Sequence, residues 1–389
     1  MSFPNVHIDT YISDMSKPNI DTLSKIYIIA NWLIGINWLP VAFKIQGVYK
    51  ILSFVCTFLM NVIIVYVLII ASIDPFTSVV VIIVVTQYFV CSFVAVSSSK
   101  NLKKFYNELW EFDKDIKMNR GTNTKARINF TLAILLFSVF IIGVVSDWFK
   151  KLNRRILVLI FMYINNIVEL FYYGHLFSLL EIRLRTIRIL LLSSFPHVKR
   201  LHSLFESEGI NFDDEIVCKL ISRNSKIEIK KLSNLYYKII KAYDFLNAAI
   251  RWQLFFIFAV AFITLVSFLD HTALQITDSK FTWDKAIPSI AMTVLKLLPL
   301  MVPCLFGQAI HYEVSLLRTA LKSRINNVFD TTSCRFAKLF IELIQIRSLT
   351  FSVFRMIEIN TTFPFKFIGL AVSYLLIILQ FQKVKIDNH

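Results

Sequence analysis

The chain has 389 residues, 56% of them hydrophobic and 17% charged, with 36 Phe and a formal net charge of +16. A soluble protein of this length divides into two or three domains and carries more charge. Here the apolar residues fall in long uncharged runs, which marks a polytopic membrane protein, and the positive charge is to be read by position rather than as a nucleic-acid footprint.

The chain begins MSFPNVHIDTYISDMSKPN, polar and without an apolar core behind a basic start. It does not read as a cleaved signal peptide, so insertion is expected to use the first spanning helix. Residues 1–50 are expected to form a cytoplasmic N-terminus with an interfacial helix. That helix is the uncharged part of Ile26–Phe43, whose Asn31, Gly35, Asn37, Pro40, Trp32 and Trp38 suit a segment lying at the interface better than one crossing it.

Seven segments have the length to cross as helices, about 20 residues each. In chain order they are Ile51–Ala71, Pro75–Val96, Ile128–Val145, Ile156–Leu180, Trp252–Leu269, Ala286–Phe306 and Phe363–Phe381. The fold class expected is therefore all-α, a seven-span membrane protein. Glu169 lies inside span four, Lys296 inside span six, and Lys366 near the start of span seven. With the N-terminus in the cytoplasm, 32 of the 42 Lys and Arg fall in cytoplasmic segments and 8 in outer ones. The positive-inside rule thus puts the N-terminus inside and the C-terminus outside. The sequons at Asn129 and Asn360 then sit at cytoplasmic ends and are expected to stay unglycosylated.

The cytoplasmic connections carry helical stripes. Apolar residues recur from Val217 through Leu232, Tyr236, Ile239 and Tyr243 to Leu246, again over His311–Phe329, and again over Phe336–Phe354. Spans four and six are expected to continue as helices below the membrane, with a further helix before span seven. The expected organisation is a six-helix bundle over 51–310 with a long cytoplasmic extension over 181–251. Anchor helices follow over 311–360, and 361–389 holds the last span and a short outer tail.

Five cysteines make no CxxC pair and seven histidines no metal-spaced cluster, so no metal site, cofactor or disulfide framework is read. No nucleophile motif points to an enzyme. A G-protein-coupled receptor would place its N-terminus outside. It would also carry an Asp-Arg-Tyr-like triplet after span three and Asn-Pro-x-x-Tyr in span seven, and none of these is present.

Residues 373–381 read SYLLIILQF at the outer end of the last span. The stretch resembles the signature that closes the last span of insect gustatory receptors: threonine, tyrosine, five hydrophobic residues, glutamine, phenylalanine. Tyr374, Leu375–Leu379, Gln380 and Phe381 match, and Ser373 replaces the threonine while keeping a hydroxyl. GINWLP (Gly35–Pro40) looks like the Gly-x-x-Pro-type lead-in of that family. The resemblance implies a ligand-gated, non-selective cation channel built as a tetramer and related to insect odorant receptors. Span seven of each subunit would line the pore, spans one to six would enclose a pocket open to the outside, and the cytoplasmic helices would join subunits. Ser373, Tyr374, Ile377, Gln380 and Phe381 become the pore and gate candidates. The partners implied are a small-molecule tastant, membrane lipid, and either identical copies or other gustatory receptors. No nucleic acid is implied, and the location is the plasma membrane. A seven-span receptor that signals through a partner protein without conducting ions is the alternative.

Ser373, Ile377 and Gln380 share one helical face. Four Gln380 amides can offer oxygens to a cation and Ile377 or Phe381 can close the path by dewetting; the plainer account is that Gln380 reaches interfacial water. Glu169 and Lys296 lie at similar depth, and a charge there costs roughly 2.5–3.5 kcal/mol. They either pair structurally or floor a ligand pocket. Tyr163, Asn165 and Asn166 beside Glu169, and Thr293 above Lys296, complete the ligand candidates, although such polar groups often only hold helices together.

Overall fold

The structure is a computed structural model that describes residues 22–33, 55, 58, 59, 62, 66, 75–116, 154–193, 228–277, 283–327, 331–354 and 357–387. Its helices are α1 (Thr22–Leu33), α2 (Pro75–Ile116), α3 (Arg154–Ser193), α4 (Ile229–Thr277), α5 (Trp283–Asn327), α6 (Thr331–Ile346) and α7 (Phe363–Asp387). Between α6 and α7 lies a short hairpin, β1 (Ser352–Val353) and β2 (Ile357–Glu358), antiparallel with Val353 opposite Ile357. Helices thus stand where spans two, four, five, six and seven are expected. Span one is described only at five helical positions. There Val55, Phe58, Leu59, Val62 and Tyr66 share one face and are all exposed, as a lipid-facing stripe would be. Span three, Ile128–Val145, lies outside the described residues, as does GINWLP.

Helices α2 to α5 run 42, 40, 49 and 45 residues. At 1.5 Å per residue they are about 60–74 Å long, twice the thickness of a bilayer core. Their polar ends therefore stand in water as a second bundle. Its core is the stripe seen in the sequence: Leu232, Leu235, Tyr236, Ile239, Ala242, Tyr243 and Leu246 of α4 are all buried. The downward extension of α2 to Ile116 adds Leu102, Phe105, Leu109 and Phe112 to that core. Its stripe had not been read as part of a bundle, because Lys100, Lys103 and Lys104 interrupt it.

Among the described residues three cations tie the extensions together through ion pairs. Arg183 donates to both Asp113 oxygens, at 3.1 and 2.8 Å, joining α3 to α2. Arg188 does the same to Glu313 at 3.0 and 3.3 Å, joining α3 to α5. Lys238 of α4 reaches Asp115 at 2.9 Å and Glu111 at 3.5 Å on α2. The Arg188 pair is buried on both sides, 2% and 7% exposed. Two glycines set the closest approaches: a Cβ on Gly174 of α3 would meet the Phe306 ring of α5 at 2.5 Å, and one on Gly307 would meet the Ile359 carbonyl at 3.0 Å.

One expectation needs correction. The stripe over Phe336–Phe354 is not a single helix: α6 stops at Ile346, and Ser348–Glu358 turns into the hairpin. Here Phe351, Val353, Ile357 and Ile359 alternate, a strand period that the helical template also partly fits. Ile359 N donates to Phe351 O at 2.8 Å, and Phe354 takes a left-handed φ of 54° at the turn. Tyr243 Oη donates to Thr350 O at 2.6 Å, and Phe351 sets its edge against Tyr243 and Phe177. Phe354 packs on Trp252 at 4.4 Å, the level at which α4 enters the membrane. The hairpin thereby fixes where α7 begins.

Removing either partner of the Arg188–Glu313 pair strands a buried charge. Arg188→Ala or Glu313→Ala is expected to cost about 3–5 kcal/mol, whereas Arg188→Met with Glu313→Leu is expected to recover most of that loss. Unfolding temperatures of the detergent-purified protein measure this. A double variant as unstable as the two singles combined would show that the groups do not act as a pair.

Candidate functional site

The two candidate regions are the last helix and the interior of the spanning bundle. Helix α7 starts at a built cap: Asn360 Oδ1 accepts from Phe363 N at 3.1 Å and from Thr362 Oγ1 at 2.7 Å. Such a cap satisfies first-turn N–H groups that would otherwise lack partners. Pro364 falls in the first turn, where its missing N–H is tolerated. One face of α7 packs inward. Phe363 lies 5.2 Å from Phe258, Phe367 lies 5.0 Å from Phe262, and Ala371 is fully buried.

The other face is open among the described residues. Lys366, Gly369, Leu370, Ser373, Leu376, Ile377 and Gln380 are all exposed, at spacings that keep them together. Ser373, Ile377 and Gln380 are therefore brought onto one uncovered face. Tyr374 sits on the shoulder: its ring is 5.8 Å from Phe262, yet it stays 49% exposed. The side chain of Phe381 lies outside the described residues. Ser373 Oγ donates to Gly369 O at 2.9 Å, so its proton is held by the helix and its oxygen is left to accept. A Cβ placed on Gly369 meets nothing within 4 Å, so no packing within the chain requires glycine there.

Glu169 lies fully buried on α3 and accepts a hydrogen bond from Tyr173 Oη one turn below. Its Oε2 has no hydrogen-bond partner among the described residues. The side chains of Tyr163, Asn165 and Asn166 on α3, and of Thr293 and Lys296 on α5, lie outside the described residues, although α3 and α5 pack directly on each other.

Below Glu169 the interior holds a polar cluster that the sequence reading missed. His175 Nε2 is 2.9 Å from Ser24 Oγ, and its ring stacks on Tyr27 at 5.4 Å, which docks α1 against α3. Tyr106 and Tyr172 bring their hydroxyls within 3.5 Å, joining α2 to α3. Gln253 of α4 donates to Cys91 O at 3.1 Å. Helix α1 buries Ser24, Tyr27 and Ile28 while leaving Ile26 and Ile29 exposed, so it lies along the bundle as an edge helix. The available signal was the spacing of His175 and Tyr172 on one α3 face, which a lone histidine in an apolar run does not advertise. Among the described residues no group of His, Cys, Asp and Glu is arranged to hold a metal.

Residues 88–385 match the family model described as 7tm Chemosensory receptor. The whole fold is similar to that of the insect olfactory receptor OR5 from Machilis hrabei, solved in complex with eugenol. The two share 11% identity with a TM-score of 0.64, over 92% of this chain and 97% of that one. A search of curated proteins finds no match. The family match spans about three quarters of the sequence, and the chain belongs to the 7tm chemosensory receptor family, of the insect gustatory and odorant receptor type.

Proposed function

We propose that this chain is a taste receptor acting as a ligand-gated, non-selective cation channel, opened by a small extracellular tastant and assembled from four copies in the plasma membrane. One observation carries the reading: the Ser373–Ile377–Gln380 face of α7 is exposed, with nothing packed on it among the described residues. Around a fourfold axis that face lines a path. Gln380 oxygens sit at its outer mouth and Ile377 forms an apolar ring one turn deeper. Lys366 shares the face at the cytoplasmic end, where a long side chain reaches water. Gly369 supports assembly, because small residues let helices from different copies approach closely. Helix α6 adds to this: beside its buried Ala337, Phe340 and Ile344 it exposes Phe336, Leu339 and Ile346, an apolar strip suited to a neighbouring copy.

The contacts also suggest how gating is organised. The inner half of α7 is held by Phe363, Phe367 and the hairpin, so the outer half is where the path opens. The ligand pocket is proposed for the outer part of the bundle, lined by Tyr163, Asn165, Asn166 and Thr293 above Glu169 and Lys296. Amide, hydroxyl and aromatic groups there suit a small polar molecule.

Gln380→Ala is expected to shift reversal potentials under biionic conditions, or to change current size, while the ligand concentration dependence stays nearly intact. Whole-cell recording from cells expressing this chain, with G proteins blocked, measures both. A ligand response without current, or one abolished by the block, would favour a receptor that signals through a partner protein.

Glu169→Gln is expected to keep the fold, since the amide still accepts from Tyr173, and to shift the ligand concentration dependence. It is also expected to raise stability by about 1 kcal/mol, because a carboxylate oxygen without a donor is costly to bury. An unchanged ligand response would move the pocket elsewhere. A fall in stability that Lys296→Met reverses would identify Lys296 as the countercharge.

A further inference from the structure

Beyond Phe306, the inner end of span six, α5 continues through the cytoplasmic bundle to Asn327. On one face of this extension His311, Ser315, Arg318, Thr319 and Lys322 follow one another at helical spacing. They line a cleft of about 400 Å³ whose other wall is the C-terminal end of α6, including Gln345. That volume lies within the usual range for small-molecule sites, roughly 300–1,000 Å³.

The electrostatics of the cleft differ from those of the rest of the bundle. Elsewhere in the bundle Arg183 has Asp113, Arg188 has Glu313, and Lys238 has Asp115 and Glu111 as carboxylate partners. Among the described residues the cleft is lined by three groups able to carry positive charge and by no carboxylate. Arg318 Nε is buried and has no hydrogen-bond partner among the described residues. The hydroxyl protons on the α5 wall are already committed: Ser315 Oγ donates to Tyr312 O at 2.7 Å and Thr319 Oγ1 to Ser315 O at 3.0 Å, while on the other wall Ser348 Oγ lies 3.3 Å from Thr350 Oγ1. Recognition therefore falls to the guanidinium, the ammonium, the imidazole and the Gln345 amide. All four donate, and the guanidinium fork fits phosphate oxygens two at a time.

Position narrows the ligand further. The cleft is cytoplasmic by the Lys and Arg asymmetry, independently of whether the protein conducts. His311 lies five residues past Phe306, about 7 Å along the helix, near the depth of the headgroup layer. Arg318 and Lys322 lie roughly 10–16 Å further down. A single phosphodiester meets the top of the cleft only. A ring bearing several phosphates can engage His311 and both deeper cations together.

We propose that the cleft between α5 and α6 is a cytoplasmic site for a phosphorylated inositol, presented as an inner-leaflet lipid headgroup or as the free sugar phosphate. Its occupancy ties α5 to α6, and α6 leads through the hairpin to the base of α7.

The test uses the full chain purified in detergent, titrated calorimetrically with inositol 1,4,5-trisphosphate and, separately, with dioctanoyl phosphatidylinositol 4,5-bisphosphate. The wild type is expected to bind at least one of them. Arg318→Gln with Lys322→Gln is expected to weaken that binding by roughly tenfold or more, and Lys338→Gln, on α6 away from the cleft, is expected to leave it unchanged. Thr319→Glu keeps every cation and places a carboxylate in the cleft, so it is also expected to weaken binding. It decides the matter should the double variant fail to give a folded protein by gel filtration. Tighter binding of the lipid than of the trisphosphate assigns the site to a headgroup, and the reverse assigns it to the free anion. Absence of binding to both probes by the wild type, or equal binding by wild type and Thr319→Glu, would overturn the proposal.

Discussion

The structure depends on the buried pair between Arg188 and Glu313. Both residues lie deep in the cytoplasmic bundle, where an unpaired charge costs several kcal/mol, so the ends of α3 and α5 are obliged to stay together. The Arg183–Asp113 pair adds α2 to the same unit, and the bidentate geometry of both arginines fixes helix rotation as well as distance. Membrane helices gain little from the hydrophobic effect among themselves, because lipid is as apolar as leucine. A water-exposed second bundle, with a core of Phe, Tyr, Leu and Ile, supplies the driving force that the membrane half lacks. In this fold the register of the spans is set below the bilayer.

That arrangement explains why α7 is held so unevenly. Its base is positioned by the Asn360 cap, by the hairpin against Tyr243 and Trp252, and by Gly307, which lets the Ile359 carbonyl pass close to α5. Higher up, its outward face is exposed, with nothing packed on it among the described residues. On the channel reading proposed here, the helix is an element fixed at one end and free to move at the other. Ligand energy spent in the outer bundle needs only to tilt or rotate the upper turns. The polar cluster of His175, Ser24, Tyr27, Tyr106 and Tyr172 lies between those two regions and locks α1, α2 and α3 to one another.

The sequence carried a large part of this and missed particular things for physical reasons. Spans two and four to seven are legible because long uncharged runs have few alternatives. The buried stripe from Leu232 to Leu246 is legible because its period is helical over four turns. That Ser373, Ile377 and Gln380 share a face follows from spacing alone, whereas its exposure is visible only in the fold. The first hairpin strand falls inside the stripe expected to be helical because Phe351 and Phe354 keep helical spacing while Phe351 and Val353 also alternate. The ion pairs were out of reach: Arg188 and Glu313 are 125 residues apart in sequence, and nothing local marks either as buried. The cationic cleft was hidden for the same reason. Its cations lie on an ordinary amphipathic helix, and only the fold shows that among the described residues no carboxylate lines the cleft with them. Of the pocket candidates, Glu169 is placed with Tyr173 as its hydrogen-bond partner.

The central claim is that the bare face of α7 lines a shared aqueous path. Cysteine scanning across the last helix in expressed receptors tests it most directly, with a small, membrane-impermeant, charged thiol reagent applied from outside to the open state. The account predicts that Ser373→Cys, Ile377→Cys and Gln380→Cys are modified and change the current, while Phe367→Cys and Ala371→Cys are protected. Protection of the first set with modification of the second, or modification without helical periodicity, would contradict it.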